Sequence, residues 1–188
     1  MLLTATMVKA QINIQGNVYG GARQANVGGS THVEVGAQYC DVIINAVFGG
    51  SDISGNIGKS KAENDTEKDA NVTTYKEATG KHLFIGQLYG GGNGYYNYSE
   101  TKNDKDEYVA TDKEDNTEVA TSTDKFVKPE LQTAVVNIFG GTFGYIYGGG
   151  NDATIKEQTT ISINNTSDRT KIATETGGLA DLTVARLK

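Results

Sequence analysis

The stretch FGGTFGYIYGGGNDATI, residues 139–155, places bulky side chains between glycines at short intervals. Aromatic and β-branched residues favour strands, whereas glycine lets the backbone turn sharply at little steric cost. A flexible linker would lack the aromatic and aliphatic residues. The stretch therefore predicts short strands separated by tight glycine corners.

A four-residue unit, aliphatic–aromatic–Gly–Gly, recurs along the chain, and such repetition is typical of stacked structural units. The unit begins at Val18, Val47, Leu88, Ile138 and Ile146. Its aromatic members are Tyr19, Phe48, Tyr89, Phe139 and Tyr147. If successive windings of the chain stack, the aliphatic members would form inward columns and the aromatic members outward ladders. We expect the glycines to adopt positive φ and to keep Cβ atoms away from the next winding.

The segments between the glycines alternate in the manner of strands. In THVEV, Val33 and Val35 share one face, opposite His32 and Glu34. No segment has the 3.6-residue apolar period that crossover helices require, which disfavours a doubly wound α/β fold. We predict an all-β fold, a parallel β-solenoid whose strands stack from winding to winding. The alternative is an antiparallel β-sandwich built from hairpins, for which the Asn-Gly turn at Asn93 is weak support.

The chain has 188 residues, enough for a single domain that spans 1–188. Two polar, charged stretches, 59–80 and 95–129, interrupt the repeat and are predicted to be loop insertions. We expect residues 166–188 to form either a cap on the last winding or a continuation into another one.

Composition excludes several classes of protein. The net charge is −6, which disfavours nucleic acid as a partner because phosphates bind basic surfaces. No stretch approaches the ~20 apolar residues of a membrane helix, so direct membrane insertion is not expected. Cys40 is the single cysteine, which rules out an internal disulfide and a thiol metal cluster. Its apolar neighbours predict a small buried hydrophobe.

The segments GNVYGGARQANVGGSTHVEV (16–35) and VNIFGGTFGYIYGGGNDATIKEQTTISI (136–163) resemble the VYGGG-type glycine-rich repeats of adhesin-like bacterial surface proteins. The resemblance covers roughly residues 12–58, 82–94 and 134–165, but neither charged insertion. It implies a right-handed β-helix at the cell surface or outside the cell, as part of a longer exported protein. It implies no catalytic residues, because that group has none in common.

Catalytic and metal-binding residues are sparse in the strand segments. Glycoside hydrolysis needs two carboxyl groups close together, whereas Glu34, Asp41 and Asp152 stand apart in the sequence. His32 and His82 begin similar strands and would be neighbours if those strands stack, but two ligands do not make a metal site. We therefore expect no enzyme activity, no metal and no cofactor.

Tyrosines are the most suggestive side chains for binding, since flat rings beside Asn and Thr suit sugar rings. The candidate glycan platform consists of Tyr89, Tyr95, Tyr96, Tyr98, Tyr145 and Tyr147. The competing interpretation is that these rings stack between windings and stiffen the fold.

The expected function is a non-catalytic structural or adhesive module of a bacterial cell-surface protein. Its expected partners are a host or bacterial surface glycan or protein, with end-to-end self-association through open strand edges. The alternatives are a polysaccharide-binding or polysaccharide-cleaving β-helix and a phage fibre segment.

Overall fold

A computed structural model of the chain describes residues 10–58, 70–95, 98–113, 116–123, 125 and 128–163, and the backbone of 182–184. These residues form twelve strands and no helix, so the predicted all-β class is confirmed for the part of the chain that is described. No helix among these residues is long and apolar enough to cross a membrane.

Three sheets contain the twelve strands. Sheet I has the spatial order β1 (Gln11–Tyr19), β3 (Asp41–Phe48), β5 (Leu83–Tyr89), β10 (Gly141–Tyr147) and β12 (Leu182–Val184). Sheet II has the order β11 (Thr154–Ile163), β9 (Glu130–Ile138), β4 (Ala70–Thr74) and β2 (Thr31–Val35). The lateral sheet has the order β6 (Tyr98–Lys102), β7 (Tyr108–Asp112) and β8 (Glu118–Ser122).

Strands alternate between sheets I and II along the chain, from β1 to β5 and again from β9 to β12. All paired neighbours in these two sheets are parallel. Antiparallel pairs join only the strands of the lateral sheet. The antiparallel sandwich is therefore wrong for sheets I and II, because strands joined by hairpins could not all run parallel to their neighbours.

The apolar core lies between sheets I and II. Val47, Leu88 and Ile146 are in register on neighbouring strands, and each is fully buried. Val18 pairs with Val47 and is partly buried at the end of this column. The predicted inward column is thus confirmed for four of the five units. Val72, Val136 and other residues of sheet II close the core from the opposite side.

The unit at Ile138 departs from the prediction. Ile138 ends β9 in sheet II, where it pairs with Thr74, and a short corner leads from it into β10. Phe139 consequently lies at the opposite corner of the fold, 38% exposed and away from the other unit aromatics. The prediction that Phe139 joins their ladder is wrong because the same four-residue unit serves a different corner here.

Glycines at the other corner form a column through four units, Gly20, Gly49, Gly90 and Gly148. A Cβ atom at Gly49 would lie 2.3 Å from the carbonyl oxygen of Gly90, and one at Gly90 would lie 2.3 Å from that of Gly148. None of these four has positive φ; among the unit glycines, only Gly141 does, at 116°. At Gly20, Gly49 and Gly90, close approach of the neighbouring backbone, rather than backbone conformation, therefore requires glycine.

The predicted insertions need one correction. Ala70–Thr74 lies within the stretch 59–80 but forms β4, which pairs with both β2 and β9 and buries Val72 completely. The stretch 95–129 does leave the repeat, and its described residues form the lateral sheet. Residues 166–188 lie outside the described part except for the backbone of β12, which runs parallel to β10. Cys40 is only partly buried, at the edge of the core.

Candidate functional site

Four of the unit aromatics stack in a ladder on the outer face of sheet I. The ring centroids of Tyr19 and Phe48 are 5.0 Å apart, those of Phe48 and Tyr89 4.6 Å, and those of Tyr89 and Tyr147 4.6 Å. Interplanar angles of 12°, 3° and 7° make the rings nearly parallel. The ladder predicted from the repeat is confirmed for these four rings. The ring faces that point along the ladder are covered by the neighbouring rings.

Two residues of the predicted glycan platform, Tyr89 and Tyr147, belong to this ladder. The hydroxyl of Tyr89 donates to Oε1 of Gln87 at 2.8 Å. Burial, and secondarily the neighbouring Tyr147, raises the pKa of Tyr89, so its hydroxyl loses its proton less readily than that of an ordinary tyrosine. Tyr145 lies beside them, its ring centroid 6.2 Å from that of Tyr147. A sugar ring could stack on neither covered face of Tyr89 and would meet that ring by its edge.

The remaining predicted tyrosines lie elsewhere. Tyr95 is 68% exposed just before the lateral sheet, and Tyr98 begins that sheet, packed against Ile53. Burial, followed by the Glu100 carboxylate, raises the pKa of Tyr98. Tyr96 lies outside the described residues. The structure therefore divides the predicted platform between sheet I and the base of the lateral sheet.

A polar column at the glycine corner was missed by the sequence analysis. Asn93 Nδ2 donates to Asp52 Oδ1 at 3.2 Å and to the Tyr19 hydroxyl at 3.3 Å. Asn151 Nδ2 in turn donates to Asn93 Oδ1 at 3.1 Å. The signal was present, since Asp52, Asn93 and Asn151 each follow a Gly-Gly pair of the repeat by two residues. Asp52 and Asn93 are buried, so this column mainly satisfies polar groups at the corner.

The two histidines are not neighbours, because His32 lies in β2 of sheet II and His82 precedes β5 of sheet I. His32 Nε2 lies 3.0 Å from Glu34 Oε1 on the outer face of sheet II. The same carboxylate oxygen accepts a hydrogen bond from the Tyr75 hydroxyl at 2.8 Å. The imidazoles would be neighbours only if those two strands stacked, and they do not, because the strands lie in different sheets.

We predict that Tyr75→Phe raises the pKa of Glu34. In the folded protein the hydrogen bond from Tyr75, and next that from His32, lowers the pKa of Glu34 below its ordinary value. The stabilising effect of the ionised Glu34 carboxylate is therefore present at neutral pH and is lost as the pH falls through the lowered pKa of Glu34. Carboxyl ¹³C NMR titration measures the shift, with Tyr39→Phe as control. If the Glu34 pKa were unchanged in Tyr75→Phe, the hydrogen bond from Tyr75 would not be the cause of the lowered pKa.

The strand carboxylates have separate partners. Asp41 Oδ1 accepts from the backbone N–H of His82 at 3.0 Å, and Asp152 forms an ion pair with Lys128. Glu34 is held by Tyr75 and His32 on sheet II. Across the described residues, no group of three or more His, Cys, Asp or Glu side chains is placed to hold a metal ion. These carboxylates thus lie in three different settings rather than in one groove.

The strongest arrangement for recognition is therefore the outer face of sheet I, with the aromatic ladder, Tyr145 and nearby amides. The lateral sheet packs against Ile53, which follows the glycine corner of the unit at Val47. No protein-family model, curated protein or solved structure matches the chain.

Proposed function

We propose that the chain is a segment of a parallel β-solenoid that serves as a non-catalytic structural and adhesive module of a bacterial cell-surface protein. Each proposed winding contributes one strand to sheet I and one to sheet II. Alternation of consecutive strands between the sheets, with parallel pairing in both, supports this winding. Four of the five repeat units, those at Val18, Val47, Leu88 and Ile146, supply the same corner of successive windings.

The observation that carries the proposal is that hydrogen bonding continues around this corner. The backbone N–H of Gly20 donates to Phe48 O at 2.9 Å, that of Gly49 to Tyr89 O at 3.0 Å and that of Gly90 to Tyr147 O at 3.0 Å. A second row follows, in which Gly50 N donates to Gly91 O at 3.1 Å. Neighbouring windings therefore stay paired beyond the strands, as a stacked rod requires.

The lateral sheet supports a role in presentation. Ala110 and Ala120 pack with Ile53 of the corner in a small apolar cluster of their own. The hairpin tip is polar and exposed, with an ion pair between Lys102 and Asp106 at 2.6 Å. Because the sheet has its own cluster, it can project sideways without disturbing the pairing of the windings. Its proposed partners are surface glycans or proteins.

Parallel stacking also supports end-to-end self-association. Strand β1 borders sheet I, and Ile12 on this strand is 50% exposed. An edge strand presents backbone donors and acceptors to any further winding, whether from a longer chain or from a second copy. A surface location follows from the resemblance to adhesin-like repeats and remains part of the proposal.

Bead adhesion tests this function. Beads coated with the full chain should attach under flow to immobilised mucin or to a bacterial cell-envelope fraction, without releasing reducing sugar ends. The matched variant replaces residues 98–122 with a Gly-Ser linker of equal length and should adhere less if the lateral sheet faces the partner. Failure to attach to either surface would refute adhesion, and release of reducing ends would favour a polysaccharide-cleaving β-helix.

A further inference from the structure

The outer face of sheet I is almost without charge. Strands β1, β3, β5 and β10 contain a single Asp, Glu, Lys or Arg residue, Asp41, although 21% of the chain is charged. Surfaces that bury themselves against a partner are commonly depleted of charge. Burial inside the fold does not account for this depletion, because the outward residues Asn45, Phe84 and Gln87 are exposed.

Amides take the place of charges on this face, and some are held in fixed positions. Asn45 Nδ2 donates to Asn17 Oδ1 at 3.0 Å across two neighbouring strands. Gln87 uses its carbonyl oxygen to accept from the Tyr89 hydroxyl at 2.8 Å, which leaves the N–H donors of this exposed side chain to solvent or a ligand. Amides fixed in this way lose less entropy when they bind.

Two aromatic rings on this face, those of Phe84 and Tyr145, lie outside the four-ring ladder. Phe84 is 42% exposed on β5, and Tyr145 lies on the adjacent strand β10, where it pairs with Gln87. Gly86 and Gly144 lie between them along the two strands and carry no side chain. A Cβ atom at Gly144 would lie 2.4 Å from the Gly86 oxygen, so close strand packing explains the glycines themselves.

We propose that this face, defined by Asn17, Asn45, Phe84, Gln87 and Tyr145, binds a neutral glycan chain that runs across the strands. The inference rests on the proposed adhesive function and assigns it a ligand class and a surface. Sugar C–H faces stack on aromatic rings, and sugar hydroxyls exchange hydrogen bonds with amides. Strands repeat every ~4.8 Å, close to the length of one sugar unit in an extended chain.

Charge and polarity select this ligand over its rivals. Anionic glycans call for Arg or Lys, and β1, β3, β5 and β10 contain neither. A second copy of the chain would favour a more apolar surface, since the centres of homodimer interfaces are enriched in apolar and aromatic groups. Here exposed amides outnumber exposed rings, which matches the many hydroxyls of a neutral polysaccharide.

Affinity electrophoresis of the full chain tests the proposal, with xyloglucan, galactomannan or a soluble β-glucan in the gel and polygalacturonate as the anionic comparison. At least one neutral polysaccharide should retard the protein, and polygalacturonate should not. Phe84→Ala and Tyr145→Ala should each weaken retardation about tenfold, equivalent to ~1.4 kcal/mol. Tyr39→Ala removes a ring that is 91% exposed but outside this face, and it should bind like the wild type.

Several outcomes would overturn the proposal. One is that no neutral polysaccharide retards the protein. Another is that the Phe84→Ala/Tyr145→Ala double variant is retarded as strongly as the wild type. A third is that light scattering shows a wild-type dimer that the double variant does not form. Circular dichroism confirms that each variant is folded before binding is compared. If beads coated with the double variant still adhere, this face is refuted as the adhesive surface while the proposed function stands. If wild-type beads do not adhere at all, the proposed function itself is refuted.

Discussion

Gly90→Ala is expected to destabilise the protein by about 3 kcal/mol, because overpacking at a site that cannot yield has costs of this size. A Cβ atom there would lie 2.3 Å from the Gly148 carbonyl oxygen and 3.1 Å from Ala134 Cβ. The first contact is with backbone of the next proposed winding, and that backbone is already fixed by the hydrogen bond from Gly90 N to Tyr147 O. Relief would require separating two paired windings.

Gly16→Ala is the matched control, since no atom lies within 4 Å of the added Cβ and Gly16 has no positive φ. Its free energy of unfolding should change by less than about 1 kcal/mol, and a small increase is expected from the stiffer unfolded chain. Urea unfolding followed by far-UV circular dichroism measures both variants. Equal stability of Gly90→Ala and Gly16→Ala would show that the glycine column does not pack as described.

Phe143→Ala should cost about 3–5 kcal/mol, the usual range for truncating a buried phenylalanine. Phe143 is fully buried between sheets I and II, where it belongs to the same apolar cluster as Leu83 and Val136. Removing its ring would leave a cavity that two hydrogen-bonded sheets cannot easily close. Thermal and urea unfolding measure the loss.

Phe84→Ala serves as the matched control. Phe84 precedes Ile85, the residue that pairs with Phe143, and its side chain points outward and is 42% exposed. Its truncation should cost about 1 kcal/mol, since much of the ring is already in water. If Phe84→Ala were as damaging as Phe143→Ala, the assignment of inner and outer faces in sheet I would be wrong.

The repeat made much of sheet I predictable. When copies of the four-residue unit stack, few arrangements can bury the aliphatic residue, stack the aromatic ring and leave room for close approach at the two glycines. Val47, Leu88 and Ile146 therefore lie in one column, and Phe48, Tyr89 and Tyr147 in another, as the spacing indicated. The local sequence pattern was sufficient here because each of these contacts joins equivalent residues of neighbouring repeat units.

Features that depend on distant neighbours were not predictable in this way. β4 lies in a polar stretch, and its burial depends on β2 and β9 lying on either side of it. The unit at Ile138 has the same sequence pattern as the others, yet it ends β9, whose pairing with β4 places it in sheet II. The glycan platform was likewise divided, because three of its residues lie on sheet I and two described ones, Tyr95 and Tyr98, lie at the lateral sheet.

Sequence alone determined the all-β class, the aromatic ladder and the need for glycine at the corners, since these follow from side-chain size and from a repeated four-residue unit. Tertiary structure decided which sheet each segment joins, why the glycines are required and which rings remain accessible. The physical reason is that close approach and burial are properties of pairs of strands far apart in the chain. The sequence of a single strand does not show which strands will lie beside it or how closely they will approach.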